Sequence, residues 1–226
     1  MRRPHIVPAL LAALLFSGGA QAAYLVEIDT DGLDDGVLTY NPSFAFGGDT
    51  TTASQSAAGA AVGLTGGDSI FGGNGTAELD TYRYFYTPGS DGDNLALAAG
   101  TALNDDGDVA TGALAGASGD YNVYATWPYT ENVSGGDTTF ELTNSGGGVV
   151  FSTTLDQNTT GDEWVLVGSG YLDANERYTL SQSSGSNTFV SMRASAALFD
   201  YVPVPEPASA ALLVASLGGL CLARRR

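Results

Sequence analysis

The sequence predicts an all-β fold, a β-sandwich or jelly roll, and three observations carry the prediction. Short segments alternate apolar and polar residues, clusters of Gly, Asn, Asp, Ser and Thr separate them at close spacing, and no internal segment repeats its apolar residues at the helical period. Alternation puts every second side chain on one face of a sheet, so a series of such segments buries one face of each against a second sheet. Glycine, at 31 of 226 residues, is about twice its average usage and falls mainly between the segments.

In chain order, strands are expected over residues 24–28, 77–86, 120–127, 138–142, 149–155, 163–167, 177–181 and 188–199. The alternation is plainest in Tyr121-Asn122-Val123-Tyr124-Ala125. Turns are expected at Ser134-Gly135-Gly136-Asp137, Ser145-Gly146-Gly147-Gly148, Thr160-Gly161-Asp162 and Ser183-Ser184-Gly185-Ser186, where glycine and short polar side chains allow tight reversals. Residues 47–75 and 87–119 hold few large apolar side chains to offset the entropy of ordering, so long loops or insertions are expected there.

The two ends read differently from the middle. Arg2 and Arg3 precede an apolar run over 6–16 and an Ala20-Gln21-Ala22 break, the layout of a secretory signal peptide over residues 1–22. Cleavage by signal peptidase is expected after Ala22. Residues 203–226 contain Val204-Pro205-Glu206-Pro207, then sixteen apolar or small residues over 208–223, then Arg224-Arg225-Arg226. That run is near the lower length limit for a membrane span, and the arginines would hold its end in the cytoplasm. The middle, residues 23–202, suits one domain.

Composition restricts the chemistry of that middle. The only histidine is His5, the only cysteine is Cys221, and lysine is absent. Imidazole base catalysis, thiol nucleophiles, zinc sites built on His or Cys, and Schiff-base or P-loop lysines are therefore unavailable to the mature region. Its 24 acids face three arginines, Arg83, Arg177 and Arg193, a formal charge of −21 that repels nucleic acid and anionic lipid.

The tail resembles the PEP-CTERM sorting signal. The resemblance implies recognition by an exosortase-type transpeptidase, transient anchoring in the inner membrane, and release to the cell surface or an extracellular matrix. Retention as a permanent C-terminal anchor is the alternative, since the span looks the same before cleavage. A second resemblance covers the domain, most clearly over 121–202. Tyr121-Asn122-Val123-Tyr124-Ala125-Thr126-Trp127-Pro128, the pair Asp156-Gln157 followed by Gly161-Asp162-Glu163-Trp164-Val165-Leu166-Val167-Gly168, and Phe199-Asp200-Tyr201-Val202 are similar to golvesin C-terminal-like domains. That resemblance implies a β-sandwich with carbohydrate-binding character and no catalytic residue set.

Each candidate site has two readings. Trp127 and Tyr129 flank Pro128 at a strand end, where a ring either stacks on the apolar face of a sugar or closes the sandwich as core. Trp164 reads as core, and Gln157 as a partner for backbone groups. Tyr82, Tyr84 and Tyr86 share one face of a strand, with Arg83 and Phe85 on the other, and the tyrosines form either a glycan-contacting surface or an ordinary exposed sheet face. Asp29, Asp31 and Asp34 in one glycine-bent stretch, and Asp105, Asp106 and Asp108 in another, are oxygen-rich in the manner calcium prefers or are solvated acidic turns.

The functional expectation is a non-enzymatic exported protein sorted to the surface or to extracellular polysaccharide, with weak glycan contact. A carboxylate-based glycan-cleaving enzyme is the rival, since such chemistry needs only two acids at suitable separation. A calcium-stabilised spacer is a third reading.

Overall fold

Strand β7 (Gly119–Thr126) shows how alternation becomes architecture. Tyr121, Val123 and Ala125 are buried in the main core, while Asp120 and Asn122 face outward. The same period orders its neighbours. The computed structural model describes residues 25–30, 42–47, 54–56, 60, 62, 69–72, 81–89, 95–96, 117–129, 131, 137–184 and 192–202, all within the compact unit Ala23–Val202. The expected signal peptide, the sorting tail with Val204 to Pro207, and Asp31, Asp34, Asp105, Asp106 and Asp108 lie outside the described residues.

The described residues are all-β. Along the chain run β1 (Leu25–Asp29), β2 (Phe44–Gly47), β3 (Ser54–Ser56), β4 (Ser69–Gly72), β5 (Thr81–Tyr86), β6 (Leu95–Ala96) and β7. There follow β8 (Asp137–Asn144), β9 (Val149–Asp156), β10 (Val165–Leu172), β11 (Tyr178–Ser184), β12 (Met192–Ala194) and β13 (Ala196–Val202). One antiparallel sheet has the order β10-β7-β13-β1-β6, a second the order β2-β5-β11-β8-β9, and β12-β4-β3 form a small third sheet.

The two five-stranded sheets face each other across an aromatic core, as a β-sandwich requires. Tyr86 of the second sheet stacks on Phe199 of the first, with centroids 4.3 Å apart, and Trp127 stacks on Phe140 at 5.7 Å. A separate cluster of Trp164, Ala196 and Leu198, flanked by Leu25, Val62 and Tyr124, lies on the opposite side of the first sheet. That sheet is therefore apolar over part of both faces.

The edge strands β9 and β10 come from opposite sheets and touch, which closes one flank of the sandwich. Phe151 of β9 lies over Gly168 of β10, so close that a Cβ there would sit within 2.3–2.6 Å of the phenyl ring. This contact corrects the expected strand over 163–167. The strand begins later and runs on through Gly168-Ser169-Gly170, which carries no apolar alternation because glycine is needed to admit side chains from across the flank. The loops expected over 47–75 and 87–119 are corrected too, since β3, β4 and β6 lie within them. Ser54, Gln55 and Ser56 pair with β4 through backbone groups, a ladder that needs no large side chains.

Candidate functional site

The segment after β7 carries Trp127 and Tyr129, the rings that either stack on a sugar or close the core, and the two have different fates. Trp127 is fully buried, and its Nε1 donates to the Thr160 carbonyl at 2.8 Å. It closes the core against Phe140, and a buried ring offers no face for stacking on a polymer. Tyr129, two residues on, is 48% exposed.

The turn expected at 160–162 is what holds this segment. Asp162 N donates to the Trp127 carbonyl at 2.8 Å, and Gly161 adopts φ 152° beside the Tyr129 backbone. A Cβ at Gly161 would stand 2.6 Å from Tyr129 Cα, so both the backbone angle and the approach require glycine.

The tyrosine row is corrected. Tyr82, Tyr84 and Tyr86 do share a face, but that face is the core, with each ring 0–1% exposed. They are neither a glycan surface nor an exposed sheet face. The hydroxyls of Tyr82 and Tyr86 are satisfied in this interior. Tyr82 Oη donates to the Met192 carbonyl at 3.0 Å, and Tyr86 Oη donates to Tyr121 Oη at 3.3 Å. The Tyr84 hydroxyl is buried and, among the described residues, has no hydrogen-bond partner. Burial holds its phenol well above the ordinary value, and the nearby Asp29 carboxylate and Tyr82 add to the shift. On the other face of β5, the Arg177 guanidinium sits 4.1 Å from the Phe85 ring centroid.

Gln157 bonds backbone groups as expected. Its Nε2 donates to the Arg193 carbonyl at 2.9 Å, and its Oε1 accepts from Arg193 N at 3.0 Å. Gln182 Nε2 donates to the same carbonyl at 2.7 Å, so two fully or nearly buried amides fix β12 beside the core. Trp164 is buried, as its apolar run implies, but in the cluster on the outer side of the first sheet. Asp29 ends β1 and is buried, and among the described residues no group of three acids or other ligands could hold a metal ion.

No local pattern in the sequence marks the outer face of the first sheet. Tyr171 is 56% exposed and Leu166 50% exposed, both on β10, and Val202 is exposed on β13. Tyr171 stands in Ser169-Gly170-Tyr171, where no alternation singles it out, and Val202 is the last residue of its strand. Between them Ser169 Oγ donates to Asn122 Oδ1 at 2.7 Å. Asp200, also on this face, has its carboxyl raised above the ordinary value by partial burial, and Tyr124 is raised by burial and then by Asp200.

The fold and its surfaces define an antiparallel β-sandwich whose first sheet has a partly apolar outer face. No family model matches the chain, and no curated protein matches it. Among solved structures, a Paenibacillus xanthan lyase aligns at 18% identity and TM-score 0.49, covering 80% of this chain and 13% of the lyase. A Podospora anserina GH26-CBM35 β-(1,4)-mannanase aligns at 12% identity and TM-score 0.37, covering 80% of this chain and 29% of the mannanase. The C-terminal family 22 carbohydrate-binding module of Clostridium thermocellum Xyn10B aligns at 12% identity and TM-score 0.33, covering 79% of this chain and 94% of the module. The chain thus spans only a small part of the two enzymes. Likeness at such identities concerns backbone layout and not chemistry.

Proposed function

We propose that this chain is a non-enzymatic, exported β-sandwich that is sorted through its C-terminal tail to the cell surface or the extracellular polysaccharide matrix, where it makes weak contacts with glycan. The observation that carries the reading is the succession of Val204-Pro205-Glu206-Pro207, an apolar run and three arginines at one end of a chain whose other end has a signal-peptide layout. Signal peptidase removes the first segment, and an exosortase-type transpeptidase acts at the second.

The proline on each side of Glu206 keeps the motif extended, which suits entry into an enzyme's cleft. A mature region without histidine, cysteine or lysine suits a binding or spacing role better than catalysis. The test is fractionation of cells, envelope and medium with and without Glu206→Ala. Wild-type protein is expected in the envelope-surface or medium fraction, and the variant is expected to accumulate in the inner membrane. Identical distribution of the two would overturn the sorting reading.

A further inference from the structure

The outer face of the first sheet brings together groups that are far apart in sequence. Register sets them in rows: Tyr171, Asp120 and Val202 lie side by side on β10, β7 and β13, and Ser169, Asn122 and Asp200 form the next row. Neighbours within a row are about 4.8 Å apart, and successive rows about 7 Å apart. The third row, Leu166, Tyr124 and Leu198, leads into the cluster that holds Trp164. Three of the five large apolar side chains that stand exposed among the described residues, Leu166, Tyr171 and Val202, are on this one face.

The floor between these apolar groups is polar and, among the described residues, holds no cation. Asn122 Oδ1 is taken by Ser169, which leaves its amide nitrogen to donate, while Asp120 and Asp200 offer carboxylate oxygens. Among the described residues neither carboxylate forms an ion pair. The three arginines of the mature region lie elsewhere: Arg83 on β5, Arg177 just before β11 and over the Phe85 ring, and Arg193 on β12.

We infer that this face docks an uncharged polysaccharide, with Tyr171 stacking on a sugar ring and Asp120, Asn122 and Asp200 bonding its hydroxyls. The inference rests on the glycan-contact part of the proposed function and names its site and ligand class. An exposed phenol ring matches the apolar C–H face of a pyranose, and carboxylates with an amide match hydroxyl groups, which donate and accept. Charge decides between glycan classes. A uronate or sulfated polymer would bring anions to two carboxylates with no guanidinium to meet them, on a domain of formal charge −21, so like-charge repulsion excludes it. The Asp200 carboxyl is already part-buried, so a hydroxyl donor arriving there replaces lost solvent contact without a new desolvation cost for a second charge.

The test is native-gel retardation of the protein, in the form that accumulates, by hydroxyethylcellulose, xylan, galactomannan and soluble starch, with polygalacturonate as the anionic arm. At least one neutral polymer is expected to retard the wild type and polygalacturonate is not. Tyr171→Ala is expected to weaken retardation about tenfold, the scale of one lost ring contact. Asp200→Asn is expected to weaken it while leaving the melting transition intact, and Val149→Ala, an exposed apolar residue of the other sheet, is expected to change nothing. Retardation by a neutral polymer that survives both Tyr171→Ala and Asp200→Asn would overturn this face while leaving glycan contact standing. Retardation by polygalacturonate alone would overturn the ligand class, and retardation by no polymer would remove glycan contact altogether.

Discussion

Replacing Gln157 with leucine removes two hydrogen bonds to one backbone unit, the donor to the Arg193 carbonyl and the acceptor from Arg193 N. The carbonyl keeps Gln182 as a donor, but the N–H loses its partner in a part-buried position. Each net hydrogen bond contributes about 1 kcal/mol, and an orphaned buried donor costs about 1–3 kcal/mol, so a loss of about 2–3 kcal/mol is expected. For a domain of this size that is a fall of roughly 5–10 °C in Tm. Gln182→Leu is expected to cost less, about 1 kcal/mol, because the Arg193 carbonyl then retains Gln157. Urea unfolding followed by circular dichroism measures both, and amide exchange at Arg193 reports the local effect. If Gln157→Leu lay within about 0.5 kcal/mol of wild type, as a surface substitution would, the amide would not be holding β12 and the reasoning would fail.

Other outcomes follow from the same contacts. Gly168→Ala drives a Cβ into the Phe151 ring and is expected to cost about 1–3 kcal/mol in denaturant titration, with Phe151→Ala in the same chain restoring part of the loss. Tyr84→Phe, which deletes a buried hydroxyl without a partner among the described residues, is expected to leave stability unchanged or raise it, whereas Tyr82→Phe gives up the bond to Met192 and is expected to lose about 1 kcal/mol; equal effects in thermal melts would refute the distinction. Self-repulsion of a domain charged at −21 is expected to ease as salt screens it, so Tm rises with sodium chloride. A further rise with millimolar calcium at fixed ionic strength would assign a site to the Asp29 or Asp105 stretch, and no such rise would leave general repulsion as the whole effect.

Much of the fold was legible because its strands announce themselves by period. The segments around Tyr121, Phe140, Val149 and Tyr178 fall where alternation and turn residues place them. Parity was legible where side was not. Alternation groups Tyr82, Tyr84 and Tyr86 on one face, but which face meets the partner sheet depends on strands far off in sequence, and there the expectation of exposure failed. Gly168 and Gly170 hid the length of β10, since their role is to receive Phe151 and Val150 from a strand of the other sheet. The short strand β3, Ser54-Gln55-Ser56, pairs with β4 through backbone groups and has no apolar residue to mark it in the sequence. The outer-face site was illegible for a related reason. Tyr171, Asn122 and Asp200 become neighbours only through the β10-β7-β13 register, and no local pattern in the chain marks them as a set.

Export followed by sorting at the C-terminus is decided by the intact mass of the protein isolated from the cells that make it. The mass is expected to correspond to a chain that begins at Ala23 and ends near the Pro205-Glu206-Pro207 motif, without the apolar run or Cys221. A mass that retains Cys221 and the terminal arginines would contradict it and leave a permanently anchored protein.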